Sequence, residues 1–258
     1  MGISPNAFVA PGAKLGANVE IGPFAVIDEH VTVGDNCVIG PHAYLTGHTV
    51  IGDNAQIHNG AVIGDAPQDV HYANEVSHVR VGSNCVIREY VTIHRGTEEG
   101  SETVIGNNVM LMAFSHVGHN CILEDDVIVA NATLLAGRVT VGRHAFVSAG
   151  CMIHQFVRIG HLAMIGGGNA IGQDVPPYCL LQSSEIQGTN IVGLRRAGLS
   201  EASRSALHQA VKIYFFQELP RMDAIEKIKA EVPECPEVRE FIEFALSTKR
   251  GIMPGRRA

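Results

Sequence analysis

His119, Gly137 and Gln155 follow one another at equal steps of eighteen positions, with His116 just before the first and His154 beside the last. A neutral imidazole can accept a proton near neutral pH, so His119 is suited to act as general base on a hydroxyl that attacks a carbonyl. If the three positions stack, the Gly137 backbone N–H, unshielded by any Cβ, can stabilise the oxyanion that forms. No Ser or Cys is placed as a nucleophile for His119, so direct transfer is expected rather than a covalent intermediate. One outward histidine is ordinary surface. Two of them beneath a bare glycine, with a carboxamide and a third imidazole above, form a polar patch that packing does not require.

What could place such evenly spaced residues on one wall? Every sixth residue from Ile3 to Ile171 visits 29 positions, of which 26 are Val, Ile or Leu; the exceptions are Asp69, Glu75 and Glu99. Thirteen of the 26 are followed by Gly, and the residue two before is usually Ala, Cys or Ser. A period of six fits neither a helix nor an alternating strand. It fits a short strand and a corner, with the aliphatic pointing inward, the small residue packed where two walls converge, and Gly expected to take strained backbone angles at the turn. Three units close a triangle, and the triangles stack about 4.8 Å apart as parallel strands. The expected architecture is a mainly β solenoid over residues 1–179, with Cys37, Cys85, Cys121 and Cys151 filling small inward slots as reduced, inert thiols.

Two polar stretches, 65–80 and 96–103, interrupt the repeat and return to the same frame, so they should loop outward from the coil. Loops on a rigid scaffold commonly carry function. After Pro176-Pro177 the pattern turns helical, with helices expected near 190–197, 201–217 behind Ser200, 222–231 and 237–247. Residues 180–258 should therefore form an α-helical cap over otherwise unpaired strand edges. The two segments carry net charges of −9 and +2, out of −7 overall.

With 46% apolar and 17% charged residues, no Trp and 28 Gly, the chain is a packed, turn-rich protein and not a disordered one. The pI near 6.0 offers no basic footprint for nucleic acid. No apolar run approaches membrane-span length and the opening residues lack a signal-peptide pattern, so a cytoplasmic protein without stable membrane insertion is expected. A flat outer wall cannot surround a ligand. Prisms packed side by side about a threefold axis would supply a facing wall, so a homotrimer with interfacial sites is expected.

VTIHRGT at 91–97, SHVGHNC at 115–121, IHQFVRIG at 153–160, QDVPPY at 173–178 and NIVGLRRAGLS at 190–200 together resemble the UDP-N-acetylglucosamine O-acyltransferases of lipid A biosynthesis. The resemblance runs along nearly the whole chain and implies a left-handed parallel β-helix of hexapeptide repeats with a C-terminal α-helical domain. It implies transfer of a 3-hydroxyacyl chain from the phosphopantetheine arm of acyl carrier protein to the 3-position of a UDP-aminosugar, with no metal or other cofactor. It places the general base at His119, supported by His116, and the oxyanion at Gly137. Gln68, Asp69, His154 and Gln155 fall near the sugar nucleotide, Asn190 and Arg196 near its diphosphate, and Gly167 at the floor of the acyl groove.

The chain departs from the family pattern where Asn120 replaces an acidic residue, His71 a lysine, Arg138 a histidine and Ala197 a basic residue. Acyl carrier proteins are acidic, so Arg195, Arg196, Arg204 and Lys212, extended by Arg138, Arg143 and Arg158, are the candidate docking surface. Three alternatives stand beside this reading: a coenzyme A-dependent sugar-nucleotide N-acyl- or acetyltransferase, a zinc carbonic anhydrase using His116 and His119 as ligands, and a non-catalytic solenoid.

Overall fold

The computed structural model describes residues 2–256; Met1, Arg257 and Ala258, the outer ends of the two expected segments, lie outside the described residues. Among the described residues short strands, mostly of two residues, line up in three sheets of nine, eight and ten strands, and as far as Ala170–Ile171 each strand pairs in parallel with the third one before and after it. Phe8–Val9 pairs with Val26–Ile27, and that strand with Tyr44–Leu45, so each pairing advances the chain by three hexapeptides. This is a triangular parallel β-helix. Its core is a set of aliphatic columns: Ile27, Leu45, Ile63, Ile93, Val117, Leu135, Ile153 and Ile171 are each at most 2% exposed. Only the first coil, with no neighbour beneath, leaves its inward residues open, and Ile3 is 52% exposed.

The glycines after the aliphatics act differently from the expectation. Apart from Gly64, at φ 89°, they do not carry the strained angles. The left-handed conformation falls three positions past most of the aliphatics, at Asn18, Asn36, Asn54, Asn84, Asn108 and Asn120 among others. Asn tolerates it better than most residues, and on one corner the amides form a ladder, Asn18 to Asn36 at 3.0 Å and Asn54 to Asn84 at 3.1 Å. Glycine is needed directly after the aliphatic because consecutive coils nearly touch there: a Cβ on Gly34 would lie 2.8 Å from the Gly52 carbonyl carbon.

The four inward cysteines are free and buried. Each thiol donates to a carbonyl of the following coil, as Cys121 does to Ala136 O at 3.0 Å. Burial pushes Cys85 up to about 11 and Cys121 up to about 12, so neither forms a thiolate at neutral pH.

The excursions lie between strands Val62–Asp65 and His78–Val81 and between Thr92–His94 and Glu102–Ile105, slightly shorter than the sequence suggested. Across the first, His48 pairs with His78, twelve positions beyond the regular step; across the second, His78 pairs with Glu102, six beyond it. The insertions are multiples of six, which is why the inward pattern resumes in frame. At the far end an antiparallel hairpin, Cys179–Gln182 with Glu185–Thr189, continues the ten-stranded sheet. Residues 180–189 therefore extend the prism and are not part of the helical layer expected from 180 onward; their Leu, Gln and Gly content carries no six-residue signature.

Among the described residues four helices follow: α1 (Ile191–Arg196), α2 (Glu201–Phe216), α3 (Arg221–Glu231) and α4 (Pro236–Ser247). Ser200 caps α2 as expected, accepting from Ser203 N. Helix α3 begins at Arg221, just before the expected start, behind Pro220, and Pro236 opens α4 from its first turn. Leu207 and Val211 of α2 are buried, with Tyr214 and Phe215 packed against the same core. Among the described residues no helix is long and apolar enough to cross a membrane.

The tail after α4 turns back onto the solenoid. Asp174, 1% exposed, accepts from Arg158 N and Nε, both at 2.9 Å, and from the Thr248 hydroxyl at 2.8 Å. Arg158 also lies 4.2 Å above the Phe244 ring.

Candidate functional site

The strand His116–Val117 pairs with Thr92–His94 on one side and Leu134–Leu135 on the other, and the column runs on through Met152–Ile153 to Ala170–Ile171. Register thus brings His94, His116, His119, Gly137, His154 and Gln155 to one cleft of about 670 Å³, with Gln68 reaching in from the first excursion. The outward residues Leu134 and Met152, 45% and 56% exposed, give that cleft an apolar wall.

His119 sits on Gly137. A Cβ built on Gly137 would fall 2.3 Å from His119 Nε2 and Cε1, so the missing side chain is the space the ring occupies. His119 Nδ1 meets Asn120 Oδ1 at 2.9 Å, and Nε2 lies 3.8 Å from Asp69 Oδ2. On the corner after the eight-stranded sheet several amides two past the aliphatic are taken: Ala17 N donates to Asp35 Oδ1 at 2.7 Å and Asn107 N to Asp125 Oδ1 at 2.6 Å. Gln155 stands above Gly137 instead of an aspartate, and among the described residues the Gly137 N–H has no hydrogen-bond partner.

His116 is neutral. Its Nδ1 is 2.7 Å from the Thr92 hydroxyl and its ring meets His94 edge-on at 4.8 Å. Burial pushes its imidazole down to about 4, and the neighbouring His94 and His119 add to the shift. His94, 6% exposed, is also held below the usual histidine range by burial, against the pull of Asp65.

The first excursion is braced from the coil. Arg95 donates to the Tyr72 hydroxyl at 3.0 Å and to Gly64 O at 2.9 Å, and its guanidinium lies 5.6 Å from the Tyr72 ring centroid. Asp69 then closes its own turn by accepting from His71 N at 2.9 Å. That leaves the His71 side chain exposed, outside the residues that line the cleft.

Other expected site residues also lie elsewhere in a single chain. Asn120 backs the His119 ring without lining the cleft, and Arg138 pairs with Glu98 and lies 5.7 Å from the Phe156 ring. Asn190 is used by the fold: its Oδ1 caps α1 through Gly193 N at 3.0 Å and its Nδ2 donates to Leu162 O at 2.9 Å. Arg196 lines a separate cavity of about 540 Å³ with Arg143, His144, His161 and Gly193. Gly167 is close to Ala149 O, with 3.2 Å for an added Cβ, and does not line the His119 cleft. Of the candidate docking cations, Arg195, Arg196 and Lys212 are exposed, whereas Arg158 is committed to Asp174. Among the described residues no three His, Cys, Asp or Glu side chains converge as a metal site.

A model of UDP-N-acetylglucosamine O-acyltransferase domain 2 matches residues 174–253, and one of bacterial transferase hexapeptides matches 30–65 and 102–137. The acyl-carrier-protein UDP-N-acetylglucosamine O-acyltransferase of Trichlorobacter lovleyi is 44% identical over 261 residues, covering 99% of this chain and 100% of its own. The chain belongs to the UDP-N-acetylglucosamine O-acyltransferase family. The crystal structure of the Bacteroides fragilis UDP-N-acetylglucosamine acyltransferase superposes with a TM-score of 0.94 at 41% identity, covering 97% of this chain and 99% of that one. The Acinetobacter baumannii structure gives 0.92 at 36%, covering 97% and 99%.

One residue that lines the cleft and one that braces it from outside escaped sequence reading. His94 was hidden because the second excursion lengthens the step between neighbouring strands of the column by six, so that Thr92 faces His116 and His94 comes to line the cleft. Allowing for that extra hexapeptide would have found the pairing. Arg250 donates to His154 Nδ1 at 3.1 Å and to Gly172 O at 3.0 Å, from a tail whose path no local pattern announces.

Proposed function

We propose that this chain transfers a 3-hydroxyacyl group from the phosphopantetheine arm of acyl carrier protein to the 3-hydroxyl of UDP-N-acetylglucosamine, the first step of lipid A assembly, in the cytoplasm. The observation that carries the proposal is the His119–Gly137 stack: an imidazole held at Nδ1 by Asn120, with Nε2 beside Asp69 and against an unpaired backbone amide.

The sugar hydroxyl gives its proton to His119 Nε2 as its oxygen attacks the thioester carbonyl. The negative charge that builds on the carbonyl oxygen is taken by the Gly137 N–H. Collapse of the tetrahedral intermediate breaks the C–S bond, and His119 returns the proton to the departing sulfur. Neutral His116, together with Gln68 and Asp69, orients the sugar, and His154 and Gln155 hold the nucleotide side of it. The apolar strip at Leu134 and Met152 receives the acyl chain.

Asn190, Arg196 and Gly167 lie outside this cleft, so they join substrate binding only when a second copy brings them to it. A homotrimer of about 83 kDa does so. The exposed cations Arg195, Arg196 and Lys212 receive the acidic carrier protein.

The test offers the purified protein hydroxyacyl-carrier protein and acetyl-coenzyme A side by side, with UDP-N-acetylglucosamine and a 3-amino analogue, and reads products by mass spectrometry. The expected product is the 3-O-acyl sugar nucleotide made from the carrier-protein donor. Use of coenzyme A alone, or acylation of the amine alone, would overturn the proposal.

A further inference from the structure

In this chain the residue after His119 is an amide, and an amide can face an imidazole with either end. Which end it presents decides which ring nitrogen carries the proton. Asn120 is fixed from both sides. Its Oδ1 accepts from the Thr97 backbone N–H at 3.2 Å, a group that can only donate, so the same oxygen 2.9 Å from His119 Nδ1 requires a proton on Nδ1. Its Nδ2 donates to Glu98 Oε2 at 3.3 Å, a group that accepts when ionised. Glu98 is held in turn by Arg138, and the Thr97 hydroxyl lies 2.9 Å from both Asn120 Oδ1 and Glu98 Oε2. The Asn120 backbone, left-handed at φ 59°, is pinned through its N–H to the Thr103 hydroxyl at 2.8 Å.

We propose that Glu98, on the second excursion, is a positioning residue: braced by Arg138, it holds the Asn120 carboxamide in the one orientation that keeps His119 Nδ1 protonated and leaves Nε2 free as the base. The excursion thereby supplies, one residue further out, the negative charge that a carboxylate directly behind His119 would otherwise provide. Hydrogen bonds from Thr97 and Arg138 keep the Glu98 carboxyl below the usual carboxylate range, so it is ionised whenever the enzyme works. The proposal rests on His119 being the base.

The test compares Glu98→Gln, Asn120→Asp and the double variant, all assayed as the full-length protein with hydroxyacyl-carrier protein and UDP-N-acetylglucosamine. Glu98→Gln is expected to lower kcat about tenfold with KM for both substrates within about threefold. Asn120→Asp alone sets two carboxylates against each other and should lose at least as much. In the double variant the carboxamide introduced at position 98 can donate to the carboxylate introduced at position 120, which accepts from Nδ1, so most of the wild-type kcat should return. In parallel, 15N-histidine spectra, with His119→Gln assigning the resonances, should show Nδ1-protonated His119 in the wild type and a mixture of tautomers in Glu98→Gln. Unchanged kcat with unchanged spectra in Glu98→Gln, or a double variant no better than Asn120→Asp, would overturn the proposal. A tautomer shift with unchanged kcat would sustain the role of Glu98 and refute His119 as the base, so the two failures are distinct.

Discussion

Gly137→Ala isolates geometry from stability. The new methyl carbon would lie 2.3 Å from His119 Nε2 and Cε1, where an unstrained contact needs about 3.4 Å, so the ring must retreat by about 1 Å. The backbone at Gly137 has no positive φ that alanine would resist, and the displaced atoms are the tip of a side chain at the edge of a cleft. The fold should hardly notice. Catalysis should, because a misplacement of about 1 Å in a base commonly costs about 100-fold, or about 2.7 kcal/mol of transition-state stabilisation. Steady-state assays should show that loss in kcat with little change in KM, and thermal unfolding should stay within about 3 °C of wild type. The neighbouring Gly118→Ala is the contrast: its Cβ meets backbone, Ala136 C and Leu135 O both at 2.8 Å, so it should lower the unfolding temperature markedly. A fully active Gly137→Ala enzyme would refute the reasoning.

Asp174→Ala leaves the Arg158 guanidinium unpaired and frees the tail at Thr248, so urea unfolding should report a loss of about 3 kcal/mol; an unchanged midpoint would contradict the tie. His116 has a folded pKa of about 4 against an ordinary 6.5, so protons bind the unfolded chain more readily; the stability this represents is complete above about pH 6.5 and is lost as pH falls through about 4. His116→Asn should flatten the decline of the urea midpoint between those values, with His94 sustaining a weaker slope of the same sign. A chromogenic disulfide reagent at pH 8 should find Cys37, Cys85, Cys121, Cys151 and Cys179 silent in the native protein and all six thiols reactive in denaturant; rapid native labelling at any of the buried five would show a looser core.

The prism was legible because its rule is short-range and repeated. An aliphatic at every sixth position and a small residue two before it each answer to a local packing need, and columns three hexapeptides apart follow from closing a triangle. The His119, Gly137 and Gln155 alignment was legible for the same reason. The hairpin at 179–189 was not, since it pairs antiparallel at the end of the stack and owes nothing to the repeat. The glycine role was misassigned because a period of six shows where the corner is, not which of its residues turns left-handed and which must let the next coil approach. His94, Glu98 and Arg250 reach the site through an insertion of six, a loop contact and a returning tail. Such arrangements depend on three-dimensional neighbours that the repeat does not encode.

The proposed reaction requires His119 Nε2 to take the proton from the attacking hydroxyl. Its most direct test is the rate of acyl transfer by His119→Ala, in protein whose unfolding temperature matches wild type. A loss of about 100-fold or more is predicted. Transfer at near wild-type rate without the imidazole would contradict it.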